Sequence, residues 1–254
     1  MNKTFKIILI FILIFILFYI FFSKKEIKEI FKEKPKVAII FDDLGESLKE
    51  LKEINSLGIP LTVSIIPGLK FSKNIGYIAY RLGFSVLVHL PFQPKNDKKY
   101  LTTKYEFISS NLSSEKLNHL LNYYLNYFNF AIGINNHMGS KATEEKELMS
   151  KVLDVIKKKK LIFIDSRTSS KSVAYKLAKE KNLICGYNEG FFDITFDTKT
   201  MEKFFGKLIE RAKKKKKIII IAHPKKTTIE FLRKKIQELK EEIEFINLKD
   251  YFKL

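Results

Sequence analysis

The sequence predicts an α/β fold: a mostly parallel sheet with helices outside it, preceded by one N-terminal transmembrane helix. Three observations carry that prediction. Short apolar, β-branched runs alternate with amphipathic stretches from Lys36 to the C-terminus. Seven or eight such units fit into about 220 residues, the size of a closed or nearly closed β/α barrel, with an open doubly wound sheet as the alternative. Residues 7–22 form an unbroken apolar run of 16 residues.

That first run is flanked by Lys3 and Lys6 before it and Lys24, Lys25 and Lys28 after it. It would rise about 24 Å as a helix, a little less than the roughly 30 Å of a bilayer core. Thr4 and Phe5 can lengthen it, and the flanking lysines can snorkel to the interface. Its end, Phe21-Phe22-Ser23-Lys24, lacks the small residues of a cleavage site. The expectation is an uncleaved anchor and stalk over 1–34 in the cytoplasmic membrane, with the domain 35–254 on the extracytoplasmic side. A cleaved signal peptide is the alternative.

The domain then reads in order. Residues 36–41 are a buried strand ended by Asp42-Asp43-Leu44-Gly45, and 47–57 a helix closed by Gly58. Residues 61–66 are the second strand, Ser72 caps a helix to Leu82, and 85–90 are the third strand. A long polar segment leads to a helix capped by Ser113. Strands are expected at 131–134 and 161–164, with a helix capped by Thr143 between them. A helix over 171–181 and a weak strand near 183–185 follow. Thr198 caps the next helix, 217–222 is a strong strand, 227–240 a helix and 244–247 a last strand. No glycine-rich phosphate loop and no internal repeat appears.

Composition limits the chemistry. With 46% hydrophobic and 30% charged residues the chain is not globally disordered. Cys185 is the single cysteine, so disulfides, cysteine-built zinc sites and iron–sulfur clusters are excluded. Any metal must be held by His, Asp and Glu, and the four His are His89, His119, His137 and His223. The net charge of +19 comes from 47 basic residues, of which only Arg81, Arg167, Arg211 and Arg233 are Arg. The chain is also rich in Ile, Phe, Asn and Tyr, which share A/T-rich codons with Lys. Base-reading sites favour Arg, so no specific nucleic-acid partner is expected.

The informative residues fall at strand ends, the reactive edge of parallel α/β folds. Asp42 and Asp43 end the first strand, His89 the third, Asp165 the fifth and His223 the strongest, while His137 follows the fourth by three residues. His119 lies in a polar helix and reads as solvated. Two His and one carboxylate are a common catalytic zinc set. A neighbouring carboxylate can serve as general base and a further His can protonate a leaving group. Metal-assisted hydrolysis is the natural reading.

These segments carry a resemblance. Phe41-Asp42-Asp43-Leu44-Gly45, His89-Leu90-Pro91, Asn135-Asn136-His137-Met138-Gly139-Ser140, Asp165-Ser166-Arg167-Thr168 and Ala222-His223-Pro224 occur in this order. Together they resemble the divergent polysaccharide deacetylase family, a branch of the carbohydrate esterases with the NodB-type fold. The resemblance implies a distorted (β/α)7 barrel, a divalent metal, most naturally zinc, and hydrolysis of N-acetyl groups on an envelope or extracellular polysaccharide. By position, Asp42 is similar to the catalytic base, Asp43 and His89 to metal ligands, and His223 to the catalytic acid, oriented by Asp165. Classical members carry a second metal His at the position of Gln93, which leaves His137 as the second imidazole on this edge. Asn136, Arg167 and Gln93 are the expected substrate contacts, Arg167 either for an anionic substrate or as a partner of Asp42. A catalytically silent relative that binds glycan or protein partners is the alternative function.

Overall fold

The computed structural model describes residues 10–19, 33–96, 104–195 and 197–254. The chain divides into two units, Met1–Lys34 and Pro35–Leu254. In the first, residues 10–19 are helical with exposed apolar side chains such as Phe11 and Phe15. Ten helical residues rise only about 15 Å. Among the described residues no helix is long and apolar enough to cross a membrane. The expected span over 7–22 is thus seen only in its middle, and its two ends and the stalk to residue 32 lie outside the described residues.

Among the described residues the second unit has eight strands: β1 Lys36–Leu44, β2 Thr62–Ile65, β3 Ser85–Phe92, β4 Gly133–Met138, β5 Ile162–Asp165, β6 Cys185–Phe191, β7 Lys217–Ala222 and β8 Glu244–Ile246. Every neighbouring pair is parallel, and β1 pairs with both β2 and β7, so β1 to β7 close into a seven-stranded barrel. The open-sheet alternative is thereby excluded. The short β8 pairs with Lys36, Val37 and Ala38 of β1, and β2 takes over that edge only from Ile40. β8 is therefore a wedge where β1 and β2 part, and this is the barrel's distortion.

Strand alternation supplies two cores. Ala38, Ile40, Leu87, Ile162, Ile164, Ile219 and Ile221 fill the barrel, joined by Leu248. Val37, Ile39, Val63, Val86, Val88 and Ile220 face the helices. Strands buried on both faces must be apolar throughout, which is why their sequence runs were legible. The helix Leu248–Phe252 closes the N-terminal end of the barrel. Its Leu248 N–H donates to Thr62 Oγ1 at 3.0 Å and its Lys249 N–H to Ser85 Oγ at 3.1 Å.

Helix starts partly follow the expected caps. Ser113 caps as expected, accepting from Lys116 N–H, while Ser47, placed by the sequence within its helix, is that helix's cap and accepts from Lys49 N–H, both at 3.2 Å. Asp197, one residue before the expected Thr198, caps the helix Thr198–Lys215. Ser72 does not cap its helix; its hydroxyl donates to Ile66 O at 2.6 Å and ties down the preceding loop. Thr143 lies in a 3-10 turn, Ala142–Glu144, ahead of the helix Lys146–Lys158.

β1 and β3 run on past their expected ends to Leu44 and Phe92, and two further strands differ more, in ways that bear on the site. β4 was expected at 131–134 but runs Gly133–Met138, through Asn135, Asn136 and His137. Gly133 starts it because β5 comes too close for a side chain: a Cβ there would lie 2.5 Å from Ile162 O. β6 was expected near 183–185 but runs Cys185–Phe191. Its sequence, Cys-Gly-Tyr-Asn-Glu-Gly-Phe, has no apolar run to announce a strand.

Candidate metal and catalytic site

The central side chains lie toward the C-terminal ends of their strands. β1 continues past Phe41, and its pairing with β2 slips between Phe41 and Leu44. Within that irregularity Asp43 takes φ +64, a left-handed conformation that costs an L-residue free energy. The turn separates two consecutive carboxylates. Asp42 is 3% exposed, whereas the Asp43 side chain is 40% exposed and reaches the mouth of the barrel. β3 and β4 lie alongside in register, His89 opposite Asn135 and Pro91 opposite His137.

Asp43, His89 and His137 come together. Asp43 Oδ1 is 3.1 Å from His89 Nε2 and 2.8 Å from His137 Nδ1. One donor atom from each of the three lies within 4.8 Å of the others. The Tyr105 hydroxyl is 2.8 Å from the other His137 nitrogen, Nε2.

Asn135 organises the floor beneath them. Its Nδ2 donates to Asp42 Oδ1 at 2.8 Å and Oδ2 at 3.0 Å, and to Ser166 Oγ at 3.2 Å. Its Oδ1 accepts from the Ser64 hydroxyl and lies 2.8 Å from His89 Nδ1. A carboxylate can only accept, so the amide nitrogen must face Asp42 and the amide oxygen must face His89. His89 Nδ1 therefore carries a proton, and Nε2 is the atom it offers toward Asp43.

Electrostatics differ sharply along this short path. Burial drives the Asp42 carboxyl up to about 6. Burial also opposes ionisation of Asp43, but hydrogen bonds from His137 and His89 outweigh it and hold Asp43 well below the usual carboxylate range. Burial presses His89 down, yet the Asp42 and Asp43 carboxylates prevail and raise it. His137, where burial is reinforced by the charge of His89, is lowered.

His223 stands at the end of β7 and is held by Asp193, not by Asp165. Asp193 accepts from His223 N–H at 2.7 Å, and its two oxygens lie 3.2 and 3.3 Å from His223 Nδ1. Thr228 Oγ1 also donates to it at 3.1 Å. Burial lowers the His223 value, but the hydrogen bond and charge of Asp193 outweigh it, so His223 is raised. Its Nε2 lies 3.8 Å from Asp43 Oδ2.

Asp165 instead accepts from Arg167 N–H at 2.9 Å, Ser172 Oγ at 2.8 Å and Tyr175 N–H at 3.2 Å. It fixes the loop into the helix Ala174–Glu180. Asn136 also departs from the expected substrate contact. It is buried, donates to Met138 O at 2.7 Å and accepts from Ser166 N–H at 2.8 Å, tying β4 to the loop after β5. Gln93 is buried, and its main chain holds two loops: its backbone N–H donates to Ile108 O at 3.0 Å, and its backbone carbonyl accepts from Lys141 N–H and Ala142 N–H at 3.2 and 3.1 Å. Arg167 does not pair with Asp42; its guanidinium stacks on Tyr187, Cζ 3.6 Å from the ring centroid. His119 is exposed, as expected.

Sequence reasoning assigned no role to Asn135, Asp193, Ser64, Ser166 or Tyr105. For Asp193 a signal existed. Phe191-Phe192-Asp193 repeats the apolar-then-acidic strand ending of Phe41-Asp42 and Ile164-Asp165, but the weak apolar signal near 183–185 places the strand too early. Tyr105 lies in a polar loop with no periodicity to mark it.

A parallel barrel with such an edge belongs with the α/β barrels that work at their strand C-termini. The chain is a member of the divergent polysaccharide deacetylase family, whose model matches residues 39–252. An uncharacterised protein of Haemophilus influenzae is 33% identical over 213 residues, covering 84% of this chain and 75% of that protein. YibQ of Escherichia coli is 25% identical over 211 residues, which span 83% of this chain and 65% of YibQ. Among solved structures, an uncharacterised protein of Agrobacterium tumefaciens shares the fold with a TM-score of 0.78 at 18% identity, over 87% of this chain and 90% of that one.

Proposed function

We propose that this protein is a metal-dependent hydrolase that removes N-acetyl groups from amino sugars of an envelope polysaccharide. The observation that carries the reading is the convergence of Asp43, His89 and His137 within 4.8 Å, beside a buried Asp42 and an Asp193-held His223.

The donor set fits a divalent ion. One carboxylate oxygen and two imidazole nitrogens suit zinc, which commonly takes three protein ligands in catalytic sites. The outer contacts fit as well: Asn135 Oδ1 accepts a hydrogen bond from His89 Nδ1, and the Tyr105 hydroxyl meets His137 Nε2. An ion held there would supply Lewis-acid polarisation of an amide carbonyl and of a water.

The remaining steps belong to the chain's own groups. Asp42, pushed up to about 6, is ionised at neutral pH yet basic enough to take a proton from water. Asn135 holds both of its oxygens in place. His223, raised by Asp193, keeps a proton at Nε2 for the departing amine, which leaves poorly unless protonated. Base and acid are thus separate groups, each raised by its own surroundings.

The apolar run over 7–22 supports placing the protein at the cytoplasmic membrane with the barrel on the outer side. Retention in the membrane fraction after carbonate washing is the expected result, and recovery in the soluble fraction contradicts it.

Acetate release from N-acetylated glycan oligomers tests the function. The wild-type chain should release acetate, and Asp42→Asn should lose roughly two or more orders of magnitude in rate. Absence of release from chitin-type, peptidoglycan-type and poly-N-acetylglucosamine oligomers, with metal confirmed bound, would favour a silent glycan-binding relative.

A further inference from the structure

Among the described residues, seven non-glycine residues adopt φ in the left-handed region. Four of them, Lys160, Asn182, Lys216 and Lys253, lie at helix C-termini, where that conformation is a usual stop. The other three, Asp43, Met138 and Arg167, stand at the C-terminal ends of β1, β4 and β5, on the edge that carries the site. Asp43 belongs to the three-residue cluster, and the Met138 carbonyl accepts from Asn136 and Thr168. Arg167 is the one whose side chain has no task yet. Its turn is fixed by Asp165, which accepts the Arg167 N–H at 2.9 Å.

The guanidinium is aimed but not neutralised. It lies 3.6 Å from the Tyr187 ring centroid, and stacking of this kind leaves the in-plane N–H groups free to bind. No carboxylate among the described residues forms an ion pair with it. The nearby Glu189 is taken by Arg211 at 3.3 Å and Lys215 at 2.6 Å. Arg167 instead lines a cleft of about 460 Å³ with Ser170, Asn188, Gly190, Phe191 and that same Glu189, whose carboxylate is already covered by its two cations, within the range of small-ligand sites. The cleft adjoins the proposed acid, because the Phe191 ring stacks on His223 at 5.9 Å and 20°.

We infer that this cleft is an oxyanion subsite, in which Arg167 grips a carboxylate or phosphate group carried by the polysaccharide beside the sugar that reacts. The inference rests on the deacetylase reading, but its test does not require turnover. Calorimetric binding to the full chain is measured with three glycan oligomers of equal length: neutral, carboxylate-bearing and phosphate-bearing. The wild type should bind one anionic oligomer about tenfold or more tightly than the neutral one, and which one it prefers identifies the group. Arg167→Asn keeps the turn, because Asn tolerates positive φ. It should weaken that oligomer by about ten- to hundredfold and leave the neutral one unchanged. Arg167→Lys should fall between. Equal wild-type affinity for neutral and anionic oligomers, no binding of either anionic one, or a uniform loss in Arg167→Asn overturns the subsite. Anion preference without acetate release would leave the subsite standing and count against the deacetylase reading alone.

Discussion

Exchanging Asp193 and Asp165 for Asn separates a group that works on the acid from one that works on the fold. Asp193 is buried and faces His223 Nδ1 at 3.2 Å, so Asp193→Asn removes the acceptor that favours the imidazolium. The His223 value should fall toward the acid side, and the protonated fraction at neutral pH with it. General acid catalysis contributes typically 10²–10⁴-fold, so the loss in kcat should be about two orders of magnitude or more. Asp165→Asn should behave differently. Its carboxylate accepts three hydrogen bonds, and an amide must turn its NH2 toward at least one of those donors. Hydrogen bonds to charged groups are worth roughly 1.5–3 kcal/mol each, so the cost should be about 2–4 kcal/mol. For a chain of this size that lowers Tm by roughly 5–15 °C. The rate of the folded Asp165→Asn protein should stay within about threefold of wild type. The assay pairs acetate release with an NMR pH titration of the His223 ring. Equal rate losses in the two variants, or a displaced His223 titration in Asp165→Asn alone, would refute the assignment.

Four further outcomes follow from the same geometry. The rate should climb as pH rises through about 6, where Asp42 ionises, and a rate independent of pH from 4 to 8 would contradict its role as base. In metal-free protein the same shift, from 3.8 to about 6, makes Asp42 ionisation cost the fold about 3 kcal/mol. The folded-state value is the higher one, so this penalty is absent below about pH 4 and complete above about 6, and Asp42→Asn should gain on wild type in denaturation experiments across that window. His89→Ala and His137→Ala should each weaken zinc binding by at least about tenfold in chelator competition, whereas His119→Ala should leave it unchanged. Gly133→Ala drives a Cβ to within 2.5 Å of Ile162 O, so it should cost more than about 2 kcal/mol in chemical denaturation, and a variant as stable as wild type would show that β4 and β5 are not so tightly apposed.

Much of this arrangement was legible because parallel strands are buried on both faces. The apolar runs of β1, β3 and β7 mark themselves, and Asp42, His89 and His223 stand out as the first polar groups after them. The resemblance to a known family added the roles. What stayed hidden follows from polar strands and from long-range contacts. β4 is half polar because Asn135, Asn136 and His137 exchange water for hydrogen bonds inside the protein, and no periodicity reports that exchange. β6 contains two glycines and no apolar run, so its end and the position of Asp193 were misplaced. The choice between Asp165 and Asp193 as partner of His223 is made by β6 and β7 being neighbours, a fact of topology rather than of local sequence. Asn136 has its place in a motif, but its amide is spent on tying β4 to the loop after β5.

The most direct test of the central claim is a titration of acetate release against zinc. The full chain is stripped with a chelator, and release from an N-acetylated glycan oligomer is followed as zinc is returned. The account predicts no release from the stripped protein, a rise that saturates near one zinc per chain, and no rise in Asp43→Ala. Release that survives chelation, or a saturated zinc site that releases no acetate from any of the three glycan types, would contradict it.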